Sequence, residues 1–169
     1  EEIKRVAREF NCEIFVETGT FLGATTAEVL KCFKKLYTIE LSDELFKQAQ
    51  RKFSKYPQLT TLHGDSGKVL FDVVEEIDST VLFWLDGHYS GGITAKGDTT
   101  CPIFKELEAI FQLKNINYVL MIDDARCFGS SIDTEYPTIE ILEEYVNENS
   151  PTKMILDIKM DIISFKPQK

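Results

Sequence analysis

Short apolar runs alternate with amphipathic stretches along the whole chain, and clusters of Gly, Asp, Ser and Pro separate them. The run CEIFVE predicts a first strand, and GATTAEVLKCFKKL after it predicts a helix with Val29, Phe33 and Leu36 on one face. LYTIEL is a second strand; Ser42 then has the character of a helix N-cap, with Asp43 and Glu44 favourable in the first turn. Phe46, Ala49 and Phe53 would line the inner face of that helix. QLTTLHGD predicts a third strand, GKVLFDVVEEI a helix, and STVLFWLDGH a fourth and most apolar strand. A glycine-rich loop, YSGGITAKGDTT, leads to Pro102 at the first turn of a helix that packs Ile103, Leu107 and Ile110 inward. INYVLMIDD is a fifth strand, Pro137 opens a helix using Ile139, Leu142 and Val146, and KMILDIKMDIISFKP reads as a hairpin.

Five βα units with almost uninterrupted apolar strands imply a parallel sheet covered on both faces. The expected fold is α/β: a Rossmann-like, doubly wound, mostly parallel sheet with a C-terminal antiparallel hairpin, formed by residues 1–169 as one domain. In such sheets ligands bind outside the carboxyl ends of the strands, beside the first strand where the winding reverses. Strand ends are therefore where the chemistry should lie.

Composition narrows the partners. A net charge of -9 with no basic stripe argues against nucleic acid and against an anionic membrane. No apolar run has the length of a membrane span, and the charged, helical EEIKRVAREF argues against a signal peptide. Cys12, Cys32, Cys101 and Cys127 are scattered, as expected of thiols in a reducing cytoplasm.

The turn after the first strand, ETGTFLGATT, carries Gly19 and Gly23, which permit positive φ and close approach of a ligand. No Lys follows Gly23, which argues against a triphosphate loop, and the G-x-G-x-x-G spacing of a dinucleotide site is broken. Acids recur instead. Glu17 precedes the turn, Glu40 ends the second strand where ribose hydroxyls would lie, and Asp65 follows the third where an adenine amino group would lie. A cationic nucleoside suits three carboxylates better than an anionic dinucleotide, and S-adenosylmethionine has that character.

Farther along, Asp86 ends the fourth strand and Asp123–Asp124 end the fifth. Oxygen-only ligands suit Mg²⁺ or a similar hard ion. Consecutive strand residues point to opposite faces, so Asp123 and Asp124 can share an ion only where the backbone leaves strand geometry; otherwise one binds and the other caps a turn. His88, two residues past Asp86, either serves as a general base near neutrality or bonds a turn. His63 reads as structural or as a ligand wall, and Arg126 as a partner for the neighbouring acids.

With these residues in view, the chain resembles the class I S-adenosylmethionine-dependent methyltransferases over nearly its whole length. VETGTFLGATT matches the first motif in outline, TIEL the acid after the second strand, and HGDS the acidic turn after the third. FWLDGHY and VLMIDDARCFG resemble, more narrowly, the metal-dependent O-methyltransferases typified by macrocin O-methyltransferase. The resemblance implies cofactor contacts at Glu17, Gly19, Thr20, Gly23, Thr25, Glu40, Leu41, Asp65, Ser66 and Asp86, with Mg²⁺ on Asp86, Asp123 and Asp124. That group often carries an acid where His88 stands, so the base at His88 is read from this chain alone.

The expectation is methyl transfer to a small-molecule hydroxyl, with His88 and Asp86 as catalytic residues and either the 89–101 loop or a partner subunit closing the pocket. A homo-oligomer stays open. The rival readings are a nicotinamide-dependent oxidoreductase and a non-catalytic module binding an adenosyl ligand.

Overall fold

The computed structural model describes residues 1–87, 100–129 and 135–168. In chain order the elements are α1 (Glu2–Phe10), β1 (Ile14–Thr18), α2 (Ala24–Val29), β2 (Lys35–Glu40), α3 (Asp43–Phe53), β3 (Leu59–His63), α4 (Ser66–Glu75) and β4 (Val81–Leu85). After these come α5 (Ile103–Ile110), β5 (Tyr118–Ile122), α6 (Ile139–Asn149), β6 (Met154–Lys159) and β7 (Ile162–Pro167). The strands form one seven-stranded sheet in the order β3-β2-β1-β4-β5-β7-β6. β1 to β5 run parallel, and β7 pairs antiparallel with both β5 and β6. This is the expected doubly wound sheet with its antiparallel edge. β1 lies between β2 and β4, so the winding reverses beside it.

Alternation along the buried strands divides the core in two. Val16, Ile39, Phe83, Leu85, Leu120 and Ile122 pack on one face with α4, α5 and α6. Phe15, Leu36, Leu82, Trp84, Val119 and Met121 pack on the other with α1 and α2. β1, β4 and β5 are buried along their whole length because each of their sides meets a helix layer, whereas β3 and β6 toward the sheet edges are partly exposed.

Local signals held in several places and were overridden in others. Ser42 caps α3 by accepting from the Leu45 N–H at 3.4 Å. The buried face of that helix is Leu45, Ala49 and Phe53; Phe46 is half-buried and stacks on His63 at 4.9 Å. The helix expected across GATTAEVLKCFKKL stops at Val29. Lys34 donates to the Glu13 carbonyl at 2.9 Å, which draws the following residues into β2. Tertiary pairing there outweighs helical periodicity. Pro102 is the cap of α5, its carbonyl accepting from the Lys105 and Glu106 amides at 2.9 and 3.1 Å. The β6–β7 hairpin turns through Met160 and Asp161, both at positive φ (54° and 65°), the backbone that a two-residue turn of this hand requires.

Candidate functional site

The parallel register brings the carboxyl ends of β1, β4 and β5 level: Thr18 pairs with Leu85, and Leu85 with Ile122. The ladder continues by one bond on each side. The Asp86 amide donates to the Thr18 carbonyl at 3.2 Å, and the Asp123 amide to the Leu85 carbonyl at 3.1 Å. Asp86 and Asp123 therefore emerge as neighbours at one sheet edge.

The glycine turn leans against this edge. Gly19 has φ +77°, and a Cβ there would lie 2.1 Å from the Asp86 carbonyl oxygen, so only glycine allows the approach. Gly23 has φ +67°, and a Cβ would meet the Phe53 ring at 2.7 Å. Between them Phe21 also takes positive φ (48°) while its ring remains exposed. Lys52, from α3, donates to the Leu22 and Gly23 carbonyls at 2.7 and 2.9 Å. Nothing in the sequence pattern marked Lys52, because its partners are backbone carbonyls.

Glu17 and Glu40 divide the work of holding the turn. Glu17 is buried beneath it, its Oε2 accepting from the hydroxyls of Thr26 and Thr38, the latter at 2.6 Å. The Thr20 and Thr38 hydroxyls bond to each other at 2.6 Å. Burial pushes Glu17 up to about 7 despite those hydroxyls. Glu40 accepts from the Phe21 amide through Oε2 at 2.8 Å and from the Ser42 amide through Oε1 at 2.9 Å. It joins the glycine turn to the β2–α3 turn, and each oxygen retains a lone pair for a ribose hydroxyl. Thr25 is half-buried in the first turn of α2, and Leu41 half-buried beyond Glu40.

Beyond β3, Asp65 caps α4: its Oδ1 accepts from the Gly67 amide at 2.9 Å, and Lys68 lies 3.6 Å from Oδ2. Ser66 is buried beside it. His63 is exposed, stacked on Phe46, with its Nε2 3.1 Å from the Leu41 carbonyl oxygen.

Among the described residues Asp86 is the most perturbed acid. Burial first, then the charges of Asp123, Asp124 and Glu17, push it up to about 8. The Trp84 indole N–H, two residues earlier, is buried and makes no hydrogen bond among the described residues. Asp123 is raised as well, again chiefly by burial. The backbone does leave strand geometry after Asp123, because Asp124 takes φ 59° and ψ 45°. Its side chain turns to Arg126 at 2.8 Å, and Asp123 Oδ1 accepts from the Asp124 amide at 2.9 Å. The donor chemistry suits a hard divalent ion, but the three aspartates do not converge as its ligands. Among the described residues no group of three or more His, Cys, Asp or Glu side chains could hold one. His88 lies outside the described residues, as does nearly all of the 89–101 loop.

One acid escaped the sequence reading. Glu106, in the first turn of α5, is fully buried and bonded to the Ser66 hydroxyl at 2.6 Å. It sits among helix residues where an acid reads as surface, and only the structure shows it beneath the strand ends.

No protein-family profile matches the chain. Ribosomal RNA small subunit methyltransferase A of Clostridium botulinum (strain Okra / Type B1) is 26% identical over 159 residues, covering 89% of this chain and 55% of the relative. The chain thus spans about half the length of the curated relatives it matches. Among solved structures, the O-methyltransferase TomG of Streptomyces achromogenes, involved in tomaymycin synthesis and in complex with S-adenosylmethionine, superposes with a TM-score of 0.67. It is 14% identical, covering 97% of this chain and 76% of its own. The 23S rRNA methyltransferase ErmE superposes at 0.56 with 12% identity, covering 99% and 67%. The fold is that of the class I S-adenosylmethionine-dependent methyltransferases.

These relatives correct one expectation. Nucleic acid is not excluded as a partner, since the matched curated relatives are ribosomal RNA methyltransferases. The formal charge of -9 is a sum over the whole chain and does not say how charge is distributed over the surface, so it cannot decide against an RNA partner. Among the described residues no helix is long and apolar enough to cross a membrane.

Proposed function

We propose that this chain binds S-adenosylmethionine along the carboxyl ends of β1, β2 and β3 and transfers its methyl group to an oxygen acceptor beside Asp86. The observation that carries the reading is the contact of Gly19 with the Asp86 carbonyl. It sets the cofactor turn directly against the acid that would meet the acceptor. Gly19, Thr20, Gly23 and Thr25 would surround the methionine end, with Glu17 bracing the turn from below. Glu40 and Leu41 would meet the ribose, and Asp65 with Ser66 the adenine.

In the reaction the acceptor oxygen attacks the methyl carbon, the carbon–sulfur bond breaks, and the sulfonium becomes a neutral thioether. Asp86 or His88 takes the acceptor's proton. A carboxyl raised to about 8 is a matched base near neutrality once ionised. In-line placement of oxygen, carbon and sulfur supplies much of the acceleration. Were a Mg²⁺ ion held at this edge, Asp86 and Asp123 would be the carboxylates to hold it, the ion would lessen their mutual repulsion, and the acceptor's proton would then pass to His88.

A small-molecule hydroxyl is the first acceptor class, supported by the likeness to TomG, an O-methyltransferase. Ribosomal RNA is the second, supported by the 26% identical relative. The deciding experiment follows isotope-labelled methyl from S-adenosylmethionine into a hydroxylated metabolite mixture and into ribosomal RNA. Label in either identifies the class. No cofactor binding in calorimetry, with tight binding of NAD or NADP instead, would overturn the reading.

A further inference from the structure

The negative total of the chain conceals a stretch of the opposite sign. Residues 45–64 carry Lys47, Arg51, Lys52 and Lys55 and no carboxylate, within a chain whose net charge is -9. The acids of α3, Asp43 and Glu44, are confined to its first turn. Lys47, Arg51 and Lys55 follow one another at four-residue spacing, and Ser54 keeps helical dihedrals (φ -55°, ψ -21°), so the three cations form one ridge. Lys47 pairs with Asp43 at 2.6 Å, and Lys52 turns its ammonium to the glycine turn. Arg51 and Lys55 are exposed, and among the described residues no acid pairs with either.

Apolar surface adjoins these cations. Tyr56 is 39% exposed, with its ring centroid 6.5 Å from that of Phe53. Phe53 in turn packs under Gly23, and Lys52 bonds the Leu22 carbonyl at 2.7 Å. Phe21 and Leu22 are themselves 44% and 54% exposed. One surface thus runs from Tyr56 to the tip of the glycine turn. Complementing the helix dipole accounts for cations in the last turn of α3, where Arg51 and Lys52 stand. It does not account for Lys55 or the open Tyr56 ring, which lie past the helix end.

Cations without internal partners beside an exposed ring match a single nucleic-acid strand, which offers phosphates to the first and base faces to the second. An acidic protein would engage the cations and leave the ring unused, and a duplex keeps its base faces stacked within itself. We infer that the end of α3 is a docking surface for single-stranded RNA, with Arg51 and Lys55 holding phosphates and Tyr56 stacking a base beside the glycine turn. The inference rests on the second acceptor class proposed above and gives it a place on the molecule.

The test is fluorescence anisotropy with a labelled oligoadenylate of about 12 nucleotides, a length one binding module can cover. It compares the whole chain with R51E/K55E, Y56A and K114E/K153E. Lys114 and Lys153 are exposed cations just before β5 and β6, toward the other edge of the sheet, so the last variant alters net charge equally but elsewhere. R51E/K55E should bind at least about tenfold more weakly, and its slope of log K against log salt should shrink by about 1.4, or about 0.7 for each of two phosphates. Y56A should lose about fivefold or more with its slope unchanged. K114E/K153E should stay within about twofold of the wild type. Equal weakening by the two charge-reversed pairs would overturn the inference. Equally tight binding of polyglutamate, or of an RNA duplex, would overturn it too and assign the surface to an acidic chain or a double helix. Each variant should bind S-adenosylhomocysteine as the wild type does, which shows that it is folded. Cofactor binding without RNA binding in the wild type would overturn the surface and leave the cofactor reading standing. RNA binding without cofactor binding would do the reverse. RNA held at this surface but never labelled with methyl would overturn RNA as the acceptor and leave the surface.

Discussion

The Phe21 amide donates to Glu40 Oε2 at 2.8 Å, which ties the left-handed residue at the tip of the glycine turn to the acid ending the neighbouring strand. A left-handed backbone at a bulky residue costs on the order of 1–3 kcal/mol and persists where its surroundings over-determine it. Here the surroundings are Glu40, the two Lys52 contacts and the packing of Gly23 on Phe53. The turn is thus pre-formed, so little ordering cost falls on ligand binding.

Glu40→Ala should weaken S-adenosylhomocysteine binding by about tenfold to a hundredfold, the range for losing hydrogen bonds to a charged acceptor. It also frees the Phe21 and Ser42 amides, so faster hydrogen exchange at these two amides should accompany the loss. Calorimetry and exchange together check it. Unchanged affinity would remove Glu40 from the pocket.

Gly19→Ala sets a Cβ 2.1 Å from a backbone oxygen and also imposes positive φ on a residue that resists it. Both effects push the turn away from Asp86. A stability loss of about 2–4 kcal/mol in denaturant unfolding is expected, together with loss of measurable cofactor binding. Full binding in this variant would show that the contact with Asp86 is dispensable.

Much of the sheet was legible because buried parallel strands are written as unbroken apolar runs. VLFWL and YVLMI could hardly be anything else, and the acids after them follow from strand length. The end of α2 was not legible, since Phe33 continues the helical periodicity and only the pairing of Lys34 with Glu13 interrupts it. At the site, the sequence located Glu17 but not its direction. It lies between Val16 and Thr18 at the end of an apolar run, and the hydroxyls of Thr26 and Thr38 decide that it turns inward. Glu106 was invisible because its partners, Ser66 and Thr18, come from other elements far away in the chain. Long-range polar pairs leave no periodicity to read.

The raised acids make apo stability depend on pH in a defined direction. Glu17 rises from 4.5 to about 7 and Asp86 from 3.8 to about 8, so between these values the folded chain binds more protons than the unfolded one. The stability these two groups contribute is then fully present below about pH 3.8 and is lost as pH rises through 7 to 8. Glu17→Gln mimics the protonated acid and should flatten that decline, by up to roughly 3 kcal/mol at pH 8. Thermal midpoints of both proteins at pH 5 and pH 8 measure it. A decline as steep in the variant as in the wild type would assign the pH dependence to other groups.

Asp86, His88 and the proposed ion can be separated by their signatures. Asp86→Asn removes a base and a carboxylate that repels Asp123, so turnover should fall by about a hundredfold or more while apo stability at pH 8 rises. His88→Ala should lower turnover with S-adenosylhomocysteine affinity within about twofold of wild type, because a base acts on the acceptor and not on the cofactor. Normal turnover of that variant at pH 7 would leave Asp86 as the base. If Mg²⁺ binds Asp86 and Asp123, its addition should raise the wild-type thermal midpoint at pH 8 and leave Asp86→Asn unmoved, since a ligand stabilises only the state that holds it. An equal response of the two proteins would show that the repulsion between these carboxylates is relieved by protonation instead, and the acceptor's proton would then have to leave through His88.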